Sequence, residues 1–166
     1  VGSLDESDEE DQDVGPIDSG KPHDVERRRK DRENKQAAMK AHKRIMGTDA
    51  GARGPDEAIK RIEAARDMRA TELHLGWLDL QDLQFMKDYS WPTLEEIYLE
   101  KNMISNIDLL AGFPMLKKID ASNNFIEDVN LYLPKLETLD LRNNYLKKFP
   151  IMEGMVRLKH LNLKGN

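Results

Sequence analysis

Apolar and polar residues alternate over short stretches of the C-terminal part of the chain, and each stretch breaks off at an asparagine. The pattern reads LEEIYLEKNMI from Leu94, LKKIDASNNFI from Leu116, LETLDLRNNYL from Leu136 and LKHLNLKGN from Leu158. The starts lie 22, 20 and 22 residues apart. The first, fourth and sixth places of each unit are apolar, and the ninth is Asn102, Asn124, Asn144 or Asn166. A fainter unit, ATELHLGWLDL, begins at Ala70 and keeps Leu73, Leu75 and Leu80, with Leu78 in the asparagine place. Alternation over so few residues predicts a short strand with one buried face. Recurrence at a fixed period of twenty-odd residues predicts that the strands stack as a solenoid. The asparagine has a physical reason to be there. Where the chain leaves the strand it bends sharply, and its backbone groups lose their ladder partners. An inward amide both donates and accepts hydrogen bonds at such a bend, whereas leucine does neither. The neighbouring Asn123 is expected to face solvent.

Between the strands an apolar residue recurs at every third place: Ile104, Ile107, Leu110, Phe113, Leu116 and Ile119, then Leu146, Phe149, Met152, Met155, Leu158 and Leu161. Residues three apart eclipse one another in a 3₁₀ turn, so this spacing keeps one stripe on the core. The third unit runs Ile126, Val129, Tyr132, Leu133, Pro134, two residues short, which predicts a tighter return there. On these motifs the stretch 70–166 resembles the leucine-rich repeat family, and within it the short intracellular class of about 22 residues per turn, the class of phosphatase regulators and a dynein light chain. The resemblance implies an α/β fold: a curved parallel β-sheet with 3₁₀ or short-helix segments on the convex side. It also implies a role in protein–protein interaction.

Upstream the pattern changes. PDEAIKRIEAARDMRA reads as a helix over 55–69. Pro55 suits the first helical position, and Asp56 and Glu57 suit the positive end of the helix dipole. Ala58, Ile59, Ile62 and Ala65 give it a narrow apolar side, placed to cover the edge of the first repeat. Residues 47–54, rich in glycine, read as a flexible break. Residues 21–46 carry ten basic and four acidic residues and form a charged segment with helix formers but no sustained apolar stripe. Residues 1–20 carry eight acidic residues and no basic one, and are expected to be disordered. At the other end Leu158, Leu161 and Leu163 would leave an open apolar edge after Asn166, which reads as a fragment of a longer protein.

Composition narrows the function classes. The 166 residues contain no cysteine, so disulfide-bonded end caps of the extracellular kind cannot form. With no Asn-x-Ser/Thr acceptor and no spanning apolar run, an intracellular, cytoplasmic location is expected, cytoskeletal or ciliary settings included, with the nucleus as the alternative. There is no phosphate-binding loop and no His-Glu-x-x-His pair, and His23, His42, His74 and His160 are scattered. No enzyme activity, cofactor, metal, membrane or small-molecule substrate is implied. Asp120 and Asp140 share a strand place in adjacent units, about 5 Å apart by strand spacing. Carboxylates that close can share a proton. The plainer reading is that both face solvent, screened by Lys118 and Arg142.

A binding surface has more behind it. In a stacked coil the non-leucine strand residues line the concave side. One column there runs His74, Tyr98, Asp120, Asp140, Asn162, and it is flanked by Gly76, Glu100, Ser122, Arg142, Lys164 and by Glu72, Glu96, Lys118, Thr138, His160. Aromatic and arginine anchors dominate protein interfaces. The candidate partner-binding residues are therefore Trp77, Glu96, Tyr98, Glu100, Asp120, Asp140 and Arg142, for a helix or loop with basic and apolar residues. Trp77 could instead cover the capping helix, and Trp91 is expected to pack locally. Arg27, Arg28, Arg29 and Lys30 could contact phosphates, an acidic partner or the import machinery, or pair with the acidic tail. Interleaved Asp24, Glu26, Asp31 and Glu33 and the lack of aromatics favour a plain solvated helix. The second function class is a ribonucleoprotein subunit, in which the repeats hold an RNA-binding partner and the basic segment touches RNA.

Overall fold

The computed structural model describes residues 51–166, together with Pro22, Val25, Glu26, Arg29, Lys30 and Glu33. The expectations for residues 1–20, for Arg27 and Arg28, and for 34–50 lie outside the described residues. The chain divides into two units, Val1–Lys40 and Ala41–Asn166. In the first, the six described positions are helical and exposed, and Arg29 pairs with Glu33 one turn on at 3.4 Å.

The second unit is built on five strands of three residues each: β1 Glu72–His74, β2 Glu96–Tyr98, β3 Lys118–Asp120, β4 Thr138–Asp140 and β5 His160–Asn162. They pair in sequence order and in parallel, so equivalent places of successive units are direct neighbours: Leu73 beside Ile97, Ile97 beside Ile119, Ile119 beside Leu139, Leu139 beside Leu161. That central column turns inward, and from β1 to β4 it joins the sixth place (Leu75, Leu99, Ala121, Leu141) in a core closed to solvent, while Leu161 on the last strand is only half-buried. At about 25 cal/mol per Å² of apolar area removed from water, this shared interior is the main source of stability for repeats that have no core of their own.

The asparagines close the last four strands. Asn102 Oδ1 accepts from the amides of Leu78 and Leu80, both at 3.0 Å, and its Nδ2 donates to the carbonyls of Leu75 and Leu99 at 2.8 and 2.9 Å. Asn124 accepts from Ile104 N at 3.0 Å and donates to Leu99 O and Ala121 O at 2.9 and 3.1 Å. Asn144 and Asn166 repeat the scheme on Ile126 and Leu146, with Nδ2 donating to Ala121 and Leu141 and to Leu141 and Leu163. Each amide thus staples its own bend to the turn before it. Asn102, Asn124 and Asn144 are buried, and every one of these bonds replaces a backbone partner that the bend removed.

The residue before each asparagine departs from expectation. Asn123 is only half exposed. It has φ 56°, and its Oδ1 accepts from Asn143 Nδ2 at 3.1 Å, so it is not a free solvent-facing position. The eighth place is left-handed in every unit: Trp77 at φ 60°, Lys101 at 59°, Asn123 at 56°, Asn143 at 52° and Gly165 at 76°.

The returns between strands are not uniform. The first two contain 3₁₀ segments, Gln84–Met86 and Asp108–Gly112. The third and fourth contain none; Asn130 instead forms an isolated parallel bridge with Ile151, whose amide donates to Val129 O at 2.9 Å. Extended chain advances about 3.3 Å per residue against about 2.0 Å in a 3₁₀ turn, so the shorter third return can still close its coil. The bridge shifts the apolar stripe. Pro150 is buried where the every-third rhythm assigns Phe149, and Phe149 is turned outward, 65% exposed.

The helix α1, Pro55–Asp67, covers the first repeat through Ala58 and Ile62, both fully buried, with Ala65 packed beside them. Gly54 N–H donates to Leu78 O at 2.7 Å, and Arg61 Nη1 to His74 O at 3.2 Å, fixing the helix to β1 and the bend after it. Its C-terminus stops two residues earlier than expected. Arg69 turns left-handed at φ 54°, and the amides of Arg69 and Ala70 close on Arg66 O and Ala65 O at 2.9 and 2.8 Å, a Schellman end. Trp91 is buried and joins the core of the first two repeats.

Candidate partner-binding face

Alternation along each strand leaves the third, fifth and seventh places on the open side of the sheet. Parallel register then sets Glu72, Glu96, Lys118, Thr138 and His160 in one row, and His74, Tyr98, Asp120, Asp140 and Asn162 in the next. The rings of His74 and Tyr98 stack with centroids 4.4 Å apart and planes 2° from parallel. The Tyr98 hydroxyl donates to Glu96 Oε2, and Lys118 Nζ donates to that hydroxyl at 3.0 Å. Each partner stabilises a protonation state. The Tyr98 pKa is raised above the usual phenol value chiefly because its hydroxyl donates to the Glu96 carboxylate, with Lys118 opposing. The Lys118 pKa is raised because its ammonium is bonded to Tyr98. A tyrosine that would swing freely on an isolated strand is therefore held in one place by three neighbours.

The two aspartates do other work than acid–base pairing. Asp120 Oδ1 accepts from Ser122 N, and Asp140 Oδ1 from Arg142 N, both at 3.0 Å; Asn162 repeats this on Lys164 N at 3.1 Å. A side chain that reaches the amide two residues on closes the end of its own strand, which is why the fifth place of the last three units is Asp or Asn. Asp140 also pairs with the Arg142 guanidinium at 2.9 Å. Ser122, read as part of the open face, is 2% exposed and belongs to the interior.

Of the candidate residues, the fold brings Glu96, Tyr98 and Asp120 together with His74 and Lys118 on β1 to β3. It sets Asp140 and Arg142 as a separate ion pair around β4. Trp77 lies at the bend after β1, 40% exposed, with Lys101 Nζ 5.6 Å from its ring centroid. Glu100 lies at the bend after β2 with its carboxylate over Gly76; a Cβ on that glycine would meet Glu100 Oε1 at 2.3 Å. Burial is the main reason the Glu100 pKa is raised above the usual carboxylate value; Asp120 adds to the rise, and its own backbone amide and His74 oppose it. Arg29 and Lys30 are exposed on the separate N-terminal unit.

Sequence reasoning overlooked one ladder. The second places, Glu95, Lys117, Glu137 and Lys159, alternate in sign, and Lys117 meets Glu95 at 3.1 Å while Lys159 meets Glu137 at 3.4 Å. The alternation was visible once the units were aligned. Pairs this exposed are each worth only a few tenths of a kcal/mol to about 1 kcal/mol, but they oppose a slip of register. Among the described residues no group of His, Asp or Glu could hold a metal ion, and no helix is long and apolar enough to cross a membrane.

A leucine-rich repeat family model matches residues 135–154, the stretch that carries β4, its asparagine bend and most of the return that follows. Neither the curated proteins nor the solved structures compared with the chain give a match. Together with the parallel strand order and the asparagine ladder, that match identifies the fold as a leucine-rich repeat solenoid. Such solenoids typically serve as non-enzymatic binding scaffolds, so the fold points to a protein partner.

Proposed function

We propose that this chain is a protein–protein interaction module of the short intracellular leucine-rich repeat class, acting in the cytoplasm, and that its partner docks on the open face of β1 to β4. Repeats of 20–22 residues, the absence of cysteine and the 3₁₀ returns of the first two units support that class. The observation that supports the face is the immobilised cluster of His74, Tyr98, Glu96 and Lys118. A stacked aromatic pair whose polar ends are already bonded loses little freedom on binding, and pre-organisation of this kind lowers the cost of association. Its chemistry suits a helix or loop carrying basic and apolar residues.

The Tyr98→Ala, Arg142→Glu double variant tests this reading. Both side chains lie outside the core, so the circular dichroism and the cooperative melt of the parent should persist. Partner affinity should fall about thirtyfold or more, the scale of losing roughly 2 kcal/mol at an interface anchor. Retention of the partner by this variant, with loss on deletion of 21–46, would transfer the site to the basic segment and favour the ribonucleoprotein reading.

A further inference from the structure

Three departures from the repeat's own rules meet at one corner of the sheet. The eighth place is left-handed throughout, and the later units fill it with Asn123, Asn143 and Gly165, residue types that accept such a backbone. The first two units fill it with Trp77 and Lys101, which do not. The third departure is Glu100: its Oε2 is buried and has no hydrogen-bond partner among the described residues. Unpartnered polar atoms and strained backbone cost stability, and where neighbouring positions all bear that cost together, function is the usual reason.

We propose, building on the partner face above, that the corner formed by Gly76, Trp77, Glu100 and Lys101 receives an arginine side chain of the protein partner, its guanidinium stacked on the Trp77 indole and paired with the Glu100 carboxylate. Arginine fits on both counts, because its plane stacks on aromatic faces and its fork meets a carboxylate with two parallel bonds. Glycine at position 76 leaves the space that the Glu100 carboxylate occupies. The surrounding charge is of the right sign: Glu72, Glu96 and Asp120 lie on the adjoining strands, and Lys118 is engaged with Tyr98. The indole also holds a cation already, the Lys101 ammonium 5.6 Å from its centroid. That flexible lysine occupies the position in the free protein and swings out when the guanidinium arrives. The raised Glu100 pKa accords with this arrangement, since a carboxylate desolvated beside Asp120, with only His74 and its own amide opposing, gains most from an incoming cation.

The test uses the full chain and two synthetic peptides, an amphipathic leucine–arginine helix and its counterpart with each arginine replaced by neutral citrulline, with binding read by calorimetry. The arginine peptide should bind at least about tenfold more tightly than the citrulline peptide, a difference of about 1.4 kcal/mol. Glu100→Gln should abolish that preference while the thermal midpoint holds or rises, because a buried charge is relieved. Lys101→Asn should raise the midpoint by suiting the left-handed backbone, and tighten the arginine peptide by removing the competing cation. Equal binding of both peptides, no binding of either, or an unchanged preference in Glu100→Gln would each overturn the proposal. The natural partner separates this proposal from the broader one. If Glu100→Gln keeps it and Tyr98→Ala, Arg142→Glu loses it, the corner fails and the face stands. If both variants keep it, the face fails as well.

Discussion

Asn124→Leu is expected to lower the stability of the folded chain by about 3–5 kcal/mol, a loss at the extreme of single substitutions. Its amide serves four buried backbone groups on two turns, the Ile104 N–H and the carbonyls of Leu99, Ala121 and Ser122. A leucine of similar size fills the space and serves none of them. Each orphaned group costs about 1–3 kcal/mol, and water cannot reach the site to repair it. Asn123→Ala is the comparison. It removes one exposed side-chain bond and places an alanine at φ 56°, for a cost of about 1 kcal/mol. Urea unfolding of the two variants ranks them directly. Equal losses would mean that the register of the ladder is misassigned by one residue.

Phe113→Ala should cost about 3–5 kcal/mol and Phe149→Ala no more than about 0.5 kcal/mol. Both phenylalanines fall on the same every-third-residue stripe of the sequence, so a reading of the pattern alone would treat them alike. Phe113 follows the 3₁₀ segment Asp108–Gly112, where the eclipsed spacing delivers it to the core, and it is 2% exposed. Phe149 sits where the chain straightens to bridge Asn130, and Pro150 takes the inward place. Truncating Phe113 opens a cavity under the second return, whereas truncating Phe149 exposes nothing new. Denaturant midpoints measured side by side should separate the two variants, and equal losses would contradict the outward turn of Phe149.

These pairs also show how far the sequence reached. Strand positions, the inward leucine column and the asparagine role followed from spacing, because a solenoid repeats one local solution and each repeat confirms the last; the parallel order followed from the resemblance to leucine-rich repeats. The left-handed eighth place was harder. Asn123, Asn143 and Gly165 state it in their residue types, but Trp77 and Lys101 conceal it, and those are the positions where a preference of the backbone gives way to something else. The dual use of Asp120 and Asp140 was hidden for a related reason. A strand-face aspartate looks the same in sequence whether it meets a partner or closes its own strand end, and only the Asp120–Ser122 and Asp140–Arg142 amide bonds distinguish the two. The burial of Ser122 depends on what lies over it, which spacing does not report. The clustering of Tyr98 with Glu96, Lys118 and His74 was implicit in the aligned columns, yet its rigidity comes from bonds that only the assembled sheet displays.

The central claim is that the partner meets the open face of the sheet, and site-specific photo-cross-linking addresses it most directly. A photoreactive phenylalanine analogue would be placed at position 98 in one sample and at position 156, an exposed return site, in another. The expected result is a covalent adduct with the partner from position 98, diminished by Arg142→Glu, and none from position 156. An adduct from position 156 with none from position 98 would contradict the account.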